Sequence, residues 1–552
     1  MKQIKRAALA ASFFALLAGG ALAETRPLTV NIEDATSWVR NFNPFMVGTA
    51  RESTLDFIYE PLVIFNKYQN DKVTYRLATA YALSEDLKSV TFTFRDGVLW
   101  SDGQPLTTKD VLFTYDFIKK TPALDATGIW AKLNTVEAVG TNQVKFTFKV
   151  PSSLSAAKIN DVPIVPEHVW KDVANPATFA NDTPVGSGPM TEIPRFTEQT
   201  YDQCRNPHYW DAANLKVDCL RFPELGTNDQ MLTALASGDL DWGAAFIPEI
   251  KKTYIAADPD HFHYWFPPGT LVGFIFNLES SDPGNRKAFD DIKFRRAVSM
   301  AFDRDAMVNI AAYGYPTPNT DASGIGASFP TWTDQAVVDK HKAEMTYDVD
   351  AAKKALADAG YADKDGDGFV DNPDGSKIKF DVIVPNGWTD WVSTVQIAVE
   401  GMNAIGIDAK MATPESAVWQ SQIADGSFQM AINSWHSRAT PFYTYFEAFN
   451  EGSIGKTRFA GHRYHDDAVQ QLLAAYEATA DSAKQHDIIH QLQAKIADAL
   501  PFLPVFNNPI WYEYSSRHFT GWADKDTPWI DPSSYSEHYR LLQLLALKPT
   551  GM

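Results

Sequence analysis

Two residues in the run Pro385-Asn386-Gly387-Trp388-Thr389-Asp390-Trp391 have the types and spacing to hold a polar solute. A flat aromatic ring stacks on the apolar C–H face of a pyranose. A carboxylate two residues away accepts hydrogen bonds from hydroxyl or amide groups. Asn-Gly is turn chemistry, so Trp388 is expected on a loop between a strand over 380–384 and a following helix. The chain holds 15 Trp, 21 Tyr and 34 Phe, enough aromatic surface to line a cleft as well as fill a core. Most of these rings are expected in the core.

Other arrangements carry less chemistry. Asp363, Asp365 and Asp367, with Gly368, have the spacing of the first half of a calcium loop. Position twelve is Asp374, where a bidentate Glu is wanted, and residues 377–384 read as a strand. A hairpin turn is therefore expected, and no metal is assigned. His486 and His490 share a helix face, but Asp487 is short for a general base and no third ligand is nearby. No nucleophile elbow, phosphate loop or dinucleotide fingerprint occurs. No catalytic residue is assigned, no cofactor is expected, and the protein reads as a non-enzyme. An exported glycoside hydrolase would need two cleft carboxylates, which Asp390 alone does not supply.

The N-terminus reads as a cleavable secretory leader over 1–23. Lys2, Lys5 and Arg6 precede an uncharged apolar stretch, and Ala21-Leu22-Ala23 is a small-x-small cleavage site. A periplasmic address follows. Cys204 and Cys219 are the two cysteines of the chain, and in an exported protein they read as one disulfide across a hairpin. The net charge of −19 argues against nucleic acid or an anionic membrane as partner.

The elements that must position such a site are most legible over residues 80–115. Leu87, Val90, Phe92, Phe94 and Val98 mark a strand, with Thr91, Thr93 and Arg95 on its other face. Asp96-Gly97 and Asp102-Gly103 are turns, and Thr107 or Thr108 caps a helix carrying Val111, Phe113 and Tyr115. This order resembles the signature of the family 5 solute-binding proteins of ABC importers, which take up peptides, nickel and oligosaccharides. Further matches follow in the family's order: Arg40–Phe45, Asp56–Leu62, Pro184–Pro189, Asn206–Asp211, Ser237–Trp242 and Phe294–Arg304. The resemblance spans essentially the whole mature chain.

It implies an α/β, two-lobed type II periplasmic binding protein with an extra inserted domain, closing on its ligand by a hinge. Domain I would be discontinuous (24–60, 185–275 and 505–552), domain II an insertion (61–184) and domain III the remainder (276–504). Crossing strands are expected near 276–278 and 504–506. The implied role is a monomeric receptor that hands its solute to an inner-membrane ABC permease.

Peptide receptors of the family place a cleft Asp against the ligand's α-amino group, because a buried cation needs a counter-charge. The matching run here, Ile432–Phe442, holds no carboxylate and adds Arg438. The runs VRNFNPF, NPHYWDAANLKVDCLRF, HYWFPPGT and PNGWTDW instead resemble the Vibrio-type chitooligosaccharide-binding branch. That resemblance assigns Trp388 to stacking, Asp390 to hydrogen bonding and Arg51 to a polar contact, and it brings in a sensor kinase as a further partner. Two departures stand out. His436, beside Trp435, replaces a cleft Phe, and Tyr535 replaces a stacking C-terminal Trp, with Trp529 near enough to take that place. The expected ligand is a β-linked oligosaccharide, a chitooligosaccharide first and a cellobiose-type sugar next. An oligopeptide is the alternative. The expected ligand set is Trp388, Asp390, Arg51, Trp435, His436, Arg438, Trp529 and Tyr535.

Overall fold

The structure is a computed structural model that describes residues 26–32, 37–46, 52–69, 72–125, 127–436, 438 and 440–551. The expected leader and Arg51 lie outside the described residues. The strand Ser89–Phe94 buries Val90, Phe92 and Phe94 and leaves Thr91 and Thr93 half-buried on the other face. Leu87 is not part of it: its φ of 57° places it in the preceding turn. Thr107 caps the helix Thr108–Lys120 through a reciprocal box with Asp110, which satisfies free N–H groups of the first turn.

Two lobes follow from two large cores. One core runs from Leu28 to Phe222 and takes in Trp242 and the stretch Tyr512–Leu547. A smaller cluster between Leu225 and Phe262 adjoins it in the chain. These make up the first lobe. It contains a four-stranded sheet in the order Leu28–Thr29, Cys219–Pro223, Thr200–Arg205, Met190–Phe196. A second four-stranded sheet has the order Ala78–Leu83, Ser89–Phe94, Gln143–Phe148, Leu133–Ala138. Cys204 and Cys219 are directly opposed on antiparallel strands and are disulfide-bonded.

The second lobe holds the other large core, from Leu271 to Phe506. Its six-stranded sheet has the order Thr317–Pro318, Phe502–Pro509, Pro268–Phe276, Met430–Trp435, Lys379–Ile383, Asp408–Ala412. Lys379–Ile383 runs parallel to both of its neighbours, and Pro268–Phe276 runs antiparallel to both of its own.

The chain passes between the lobes as a pair of strands. Phe262–Tyr264 continues into Pro268–Phe276, and Phe502–Pro509 returns into Glu513–Ser515. The crossing segments pair with each other: Trp265 N–H donates to the Tyr512 carbonyl at 3.0 Å, and Ile510 N–H to the Pro267 carbonyl at 2.8 Å. The crossover therefore lies near 265–268 and 509–512. The expected points at 276–278 and 504–506 fall within or at the far end of the second lobe's sheet, where Phe276 pairs with Met430 and Phe506 with Val272. Gly269 marks a close approach. A Cβ there would stand 2.6 Å from the Ile510 backbone nitrogen.

Candidate functional site

In open α/β sheets, ligands bind beyond the carboxyl ends of the parallel strands. Here those ends belong to Lys379–Ile383 and Met430–Trp435, and the loops leaving them hold Trp388, His436 and Arg438. The two crossing segments leave the same sheet, so this edge faces the first lobe.

Trp388 is the residue before the helix Thr389–Ala404, presented by the loop as its sequence implies. Gly387 has φ of 80°, and a Cβ there would meet the Thr227 side chain of the first lobe at 2.6 Å. The Trp388 ring is half-buried. It packs edge-on to Trp391 at 4.9 Å and tilted to Trp419 at 5.8 Å. Its indole N–H is buried and finds no acceptor among the described residues. A buried donor of this kind costs free energy until something accepts from it.

Asp390 lies in the first turn of the same helix and is only 3% exposed. Its carboxylate accepts from the first lobe's Asn228 Nδ2 at a long 3.5 Å, and the Asn228 backbone N–H donates to the Gly387 carbonyl at 3.3 Å. Burial pushes the Asp390 carboxyl up to about 7, because the backbone N–H groups and Asn228 only partly replace its lost hydration.

Beyond Met430–Trp435 the expectation needs correcting. Trp435 is 1% exposed, its indole N–H donates to the Phe459 carbonyl at 2.8 Å, and its ring packs against Phe502 at 5.0 Å. It is core and offers no face for a sugar in this arrangement. His436, next in the chain, is exposed. Its Nδ1 lies 3.1 Å from Glu447 Oε1, and its ring meets Phe459 edge-on at 5.1 Å. Burial works against the Glu447 charge, but His436 and Arg438 outweigh it and hold that carboxyl below its ordinary range.

Arg438 lies 5.6 Å from the centre of the Tyr443 ring. Arg438 is itself exposed; desolvation by the protein around it disfavours its charge, but Asp161, Glu447 and Glu537 more than compensate. Asp161 and Glu537 belong to the first lobe. Asp161 is exposed, and desolvation by the surrounding protein raises its carboxyl despite the pull of Arg438, His538 and Lys158. Arg438 therefore sits in a charged junction built from both lobes.

Tyr535 and Trp529 lie on the first lobe. Tyr535 is 36% exposed, and its hydroxyl donates to Asn31 Oδ1 at 3.1 Å. Trp529 is half-buried against its own lobe's core, and its carbonyl accepts from Asn66 at 2.8 Å. A separate open cavity of about 700 Å³, lined in part by His263, Tyr264, Tyr514 and Asp524, contains none of these residues.

One group escaped the sequence reading. Phe246, Phe266, Tyr313, Tyr315 and Trp511 form a connected aromatic cluster at the crossover, with ring centroids 4.9 to 6.0 Å apart. The Tyr315 hydroxyl accepts from Ile250 N–H at 2.9 Å and donates to the Ile247 carbonyl at 3.2 Å, so it ties the lobes together. The available signal was proline beside aromatics, in Trp265-Phe266-Pro267 and Pro509-Ile510-Trp511.

The Asp-rich loop folds as a turn. Asp363 accepts from Gly366 and Gly368 N–H at 2.7 and 2.9 Å. Carboxylate oxygens of Asp363, Asp365 and Asp371 lie within 4.8 Å of one another. The Lys377 ammonium pairs with Asp365, with Asp367 at 2.8 Å and with Asp371 at 3.2 Å, so the loop carries its own counter-charge. Asp374 turns away to pair with Lys287.

Residues 72–457 match the sequence profile described as bacterial extracellular solute-binding proteins, family 5 Middle. The chain belongs to this family. Family 5 members are non-enzymatic binding receptors of ABC importers. This family 5 chain is 30% identical to Protein XP55 of Streptomyces lividans over 444 residues, covering 76% of this chain and 73% of that one. It is 23% identical over 493 residues to the dipeptide-binding protein DppE of Bacillus subtilis, covering 82% and 83%. Among solved structures it resembles the mannohexaose-bound periplasmic oligopeptide-binding protein of an oligopeptide ABC transporter from Thermotoga maritima. The TM-score is 0.85 at 24% identity, covering 95% of this chain and 99% of that one. Among the described residues no helix is long and apolar enough to cross a membrane.

Proposed function

We propose that this family 5 protein is exported by its leader to the periplasm, captures a β-linked oligosaccharide between its lobes and delivers it intact to an ABC permease. A chitooligosaccharide is the favoured solute and a cellobiose-type sugar the next. The observation that carries the reading is Trp388: a half-buried ring at the carboxyl edge of the second lobe's sheet, beside the other lobe, with an unaccepted indole N–H. A ring with an orphan donor suits a sugar, which offers a C–H face to the ring and a hydroxyl or acetamido oxygen to the N–H. Tyr535 and Trp529 would add surface from the first lobe. Arg438, His436 and Arg51 would read polar groups, and Asp390 would accept from the sugar once Asn228 moves off it. The Thermotoga protein's mannohexaose supports the sugar class. The domain division given above is part of this reading, with its boundaries at 275/276 and 504/505 moved to the crossover near 265–268 and 509–512.

One observation favours an oligopeptide as the second reading. Asp161 and Glu537 act on Arg438 electrostatically from the opposite lobe, so carboxylates that could serve as a counter-charge for an α-amino group lie on that lobe, although not in the run 432–442. The relative from Bacillus subtilis is named for dipeptides. A thermal-shift panel separates the two. Di-N-acetylchitobiose or cellobiose is expected to raise the melting temperature and be recovered uncleaved. A rise with tripeptides alone would overturn the sugar reading.

A further inference from the structure

The lobes meet again away from the crossover, through a contact with an unusual charge arrangement. Ser152, Ser153 and Lys158 of the first lobe lie against Glu477, the last residue of the second lobe's helix Asp467–Glu477. Ser153 N–H donates to the Glu477 carbonyl at 2.7 Å, and the Ser152 hydroxyl to Glu477 Oε2 at 3.4 Å. The Lys158 ammonium pairs with the same oxygen, and the two side chains are only 15% and 14% exposed. Leu154 packs onto the second lobe's core. A second cation is close by: Lys132 Nζ lies 5.0 Å from the Phe446 ring centre and Lys158 Nζ 5.9 Å from it. Two lysines of one lobe are thus brought onto an aromatic ring and a helix C-terminus of the other.

We propose that Glu477 is the counter-charge that permits the lobes to close. Closing strips water from Lys158, which shares its lobe and its aromatic neighbour with Lys132, and the Glu477 carboxylate, backed by the negative end of its helix, is what neutralises the pair. Burial and Lys132 do pull the Lys158 pKa down, to about 8, while Glu477 pulls it up, as expected for a cation with one essential partner. Removing that partner leaves a desolvated cation in the interface. Removing the cation as well relieves the penalty. The contact is therefore a closure latch whose strength rests on Glu477 more than on Lys158, and it does not depend on which solute the cleft accepts.

The test is a spin-label distance measurement across the lobes, with labels at Val139→Cys and Tyr347→Cys. Both sites are exposed, and the two natural cysteines are already bonded to each other. Glu477→Gln should cut the closed population at least threefold, Glu477→Asp should stay near the parent, and Glu477→Gln with Lys158→Gln should recover most of the loss. A closed population unchanged in Glu477→Gln overturns the proposal, as does a double variant no more closed than the single one. Melting temperatures within a few degrees of the parent confirm that the variants are folded.

Discussion

Asn228 and Asp390 face each other across the two lobes. The amide nitrogen of one stands 3.5 Å from a carboxylate oxygen of the other, and among the described residues no cation balances the buried charge. An uncompensated carboxylate at a lobe contact is costly to the protein and available to a ligand. Its ionisation is set by burial.

The first prediction concerns pH. The Asp390 carboxyl titrates near 7 in the folded protein, against an ordinary value near 4. The folded state then holds more protons than the unfolded one between about pH 4 and 7, so this group lowers stability as pH rises through that window. Asp390→Asn removes the penalty. Relative to the parent, the variant should gain about 2–4 kcal/mol at pH 8 and almost nothing at pH 4. Glu513, pushed up to about 8 by burial, titrates with the same sign in both proteins and cancels in the comparison. Denaturant melts at the two pH values measure it, and equal gains at both would show that Asp390 does not titrate in this range.

The second prediction separates binding from packing at Trp388. Trp388→Ala should weaken sugar binding by at least ~1–2 kcal/mol, the scale for losing a stacked ring. Trp388→Phe should retain a larger share of affinity while losing the indole N–H. Calorimetry on both variants, with melts alongside, checks this. A lowered melting temperature with unchanged affinity would reduce Trp388 to a packing partner of Trp391 and Trp419.

How much of this was legible in the sequence depended on distance along the chain. The Asn-Gly turn before an amphipathic helix was enough to place Trp388, and two cysteines in an exported chain were enough to predict their bond. Trp435 entered the expected ligand set through the resemblance, and no local pattern marks it as core. Met430–Trp435 is a central strand between two others, so most of its side chains are covered on both faces of the sheet. The partners that define the lobe contact were beyond local pattern. Asn228 reaches Asp390 across 162 residues, and Lys158 reaches Glu477 across 319. The crossover was misplaced by about ten residues on one strand because the buried run Leu271–Phe276 continues into the sheet with no break that marks where the lobe begins.

The third prediction concerns the segment that carries Tyr535. Arg540 is bonded to Asp56 through both carboxylate oxygens, at 2.6 to 3.0 Å, and to the Ser534 carbonyl at 3.2 Å, with both charges buried. Arg540→Ala should cost about 3–5 kcal/mol by stranding Asp56. Arg540→Lys should recover only part, because an ammonium cannot reproduce the fork. Urea titration measures both, and a loss below 1 kcal/mol in the alanine variant would contradict the structural role.

The fourth prediction concerns the disulfide. The bond closes a loop of fifteen residues between opposed strand positions. Replacing Cys204 and Cys219 together by Ser should cost about 3 kcal/mol, mainly by freeing the unfolded chain. The urea midpoint should fall while the oligosaccharide affinity of the folded fraction stays the same. An unchanged midpoint would mean that the strand pairing alone secures this hairpin.

The central claim is that the cleft beside Trp388 takes a sugar, and a calorimetric titration of the mature protein tests it most directly. Di-N-acetylchitobiose, cellobiose and a tripeptide would be titrated in parallel into the parent and Trp388→Ala. One-to-one binding of a disaccharide by the parent, weakened tenfold or more by the substitution, is the predicted result. Binding of the tripeptide alone, unaffected by Trp388→Ala, would contradict it.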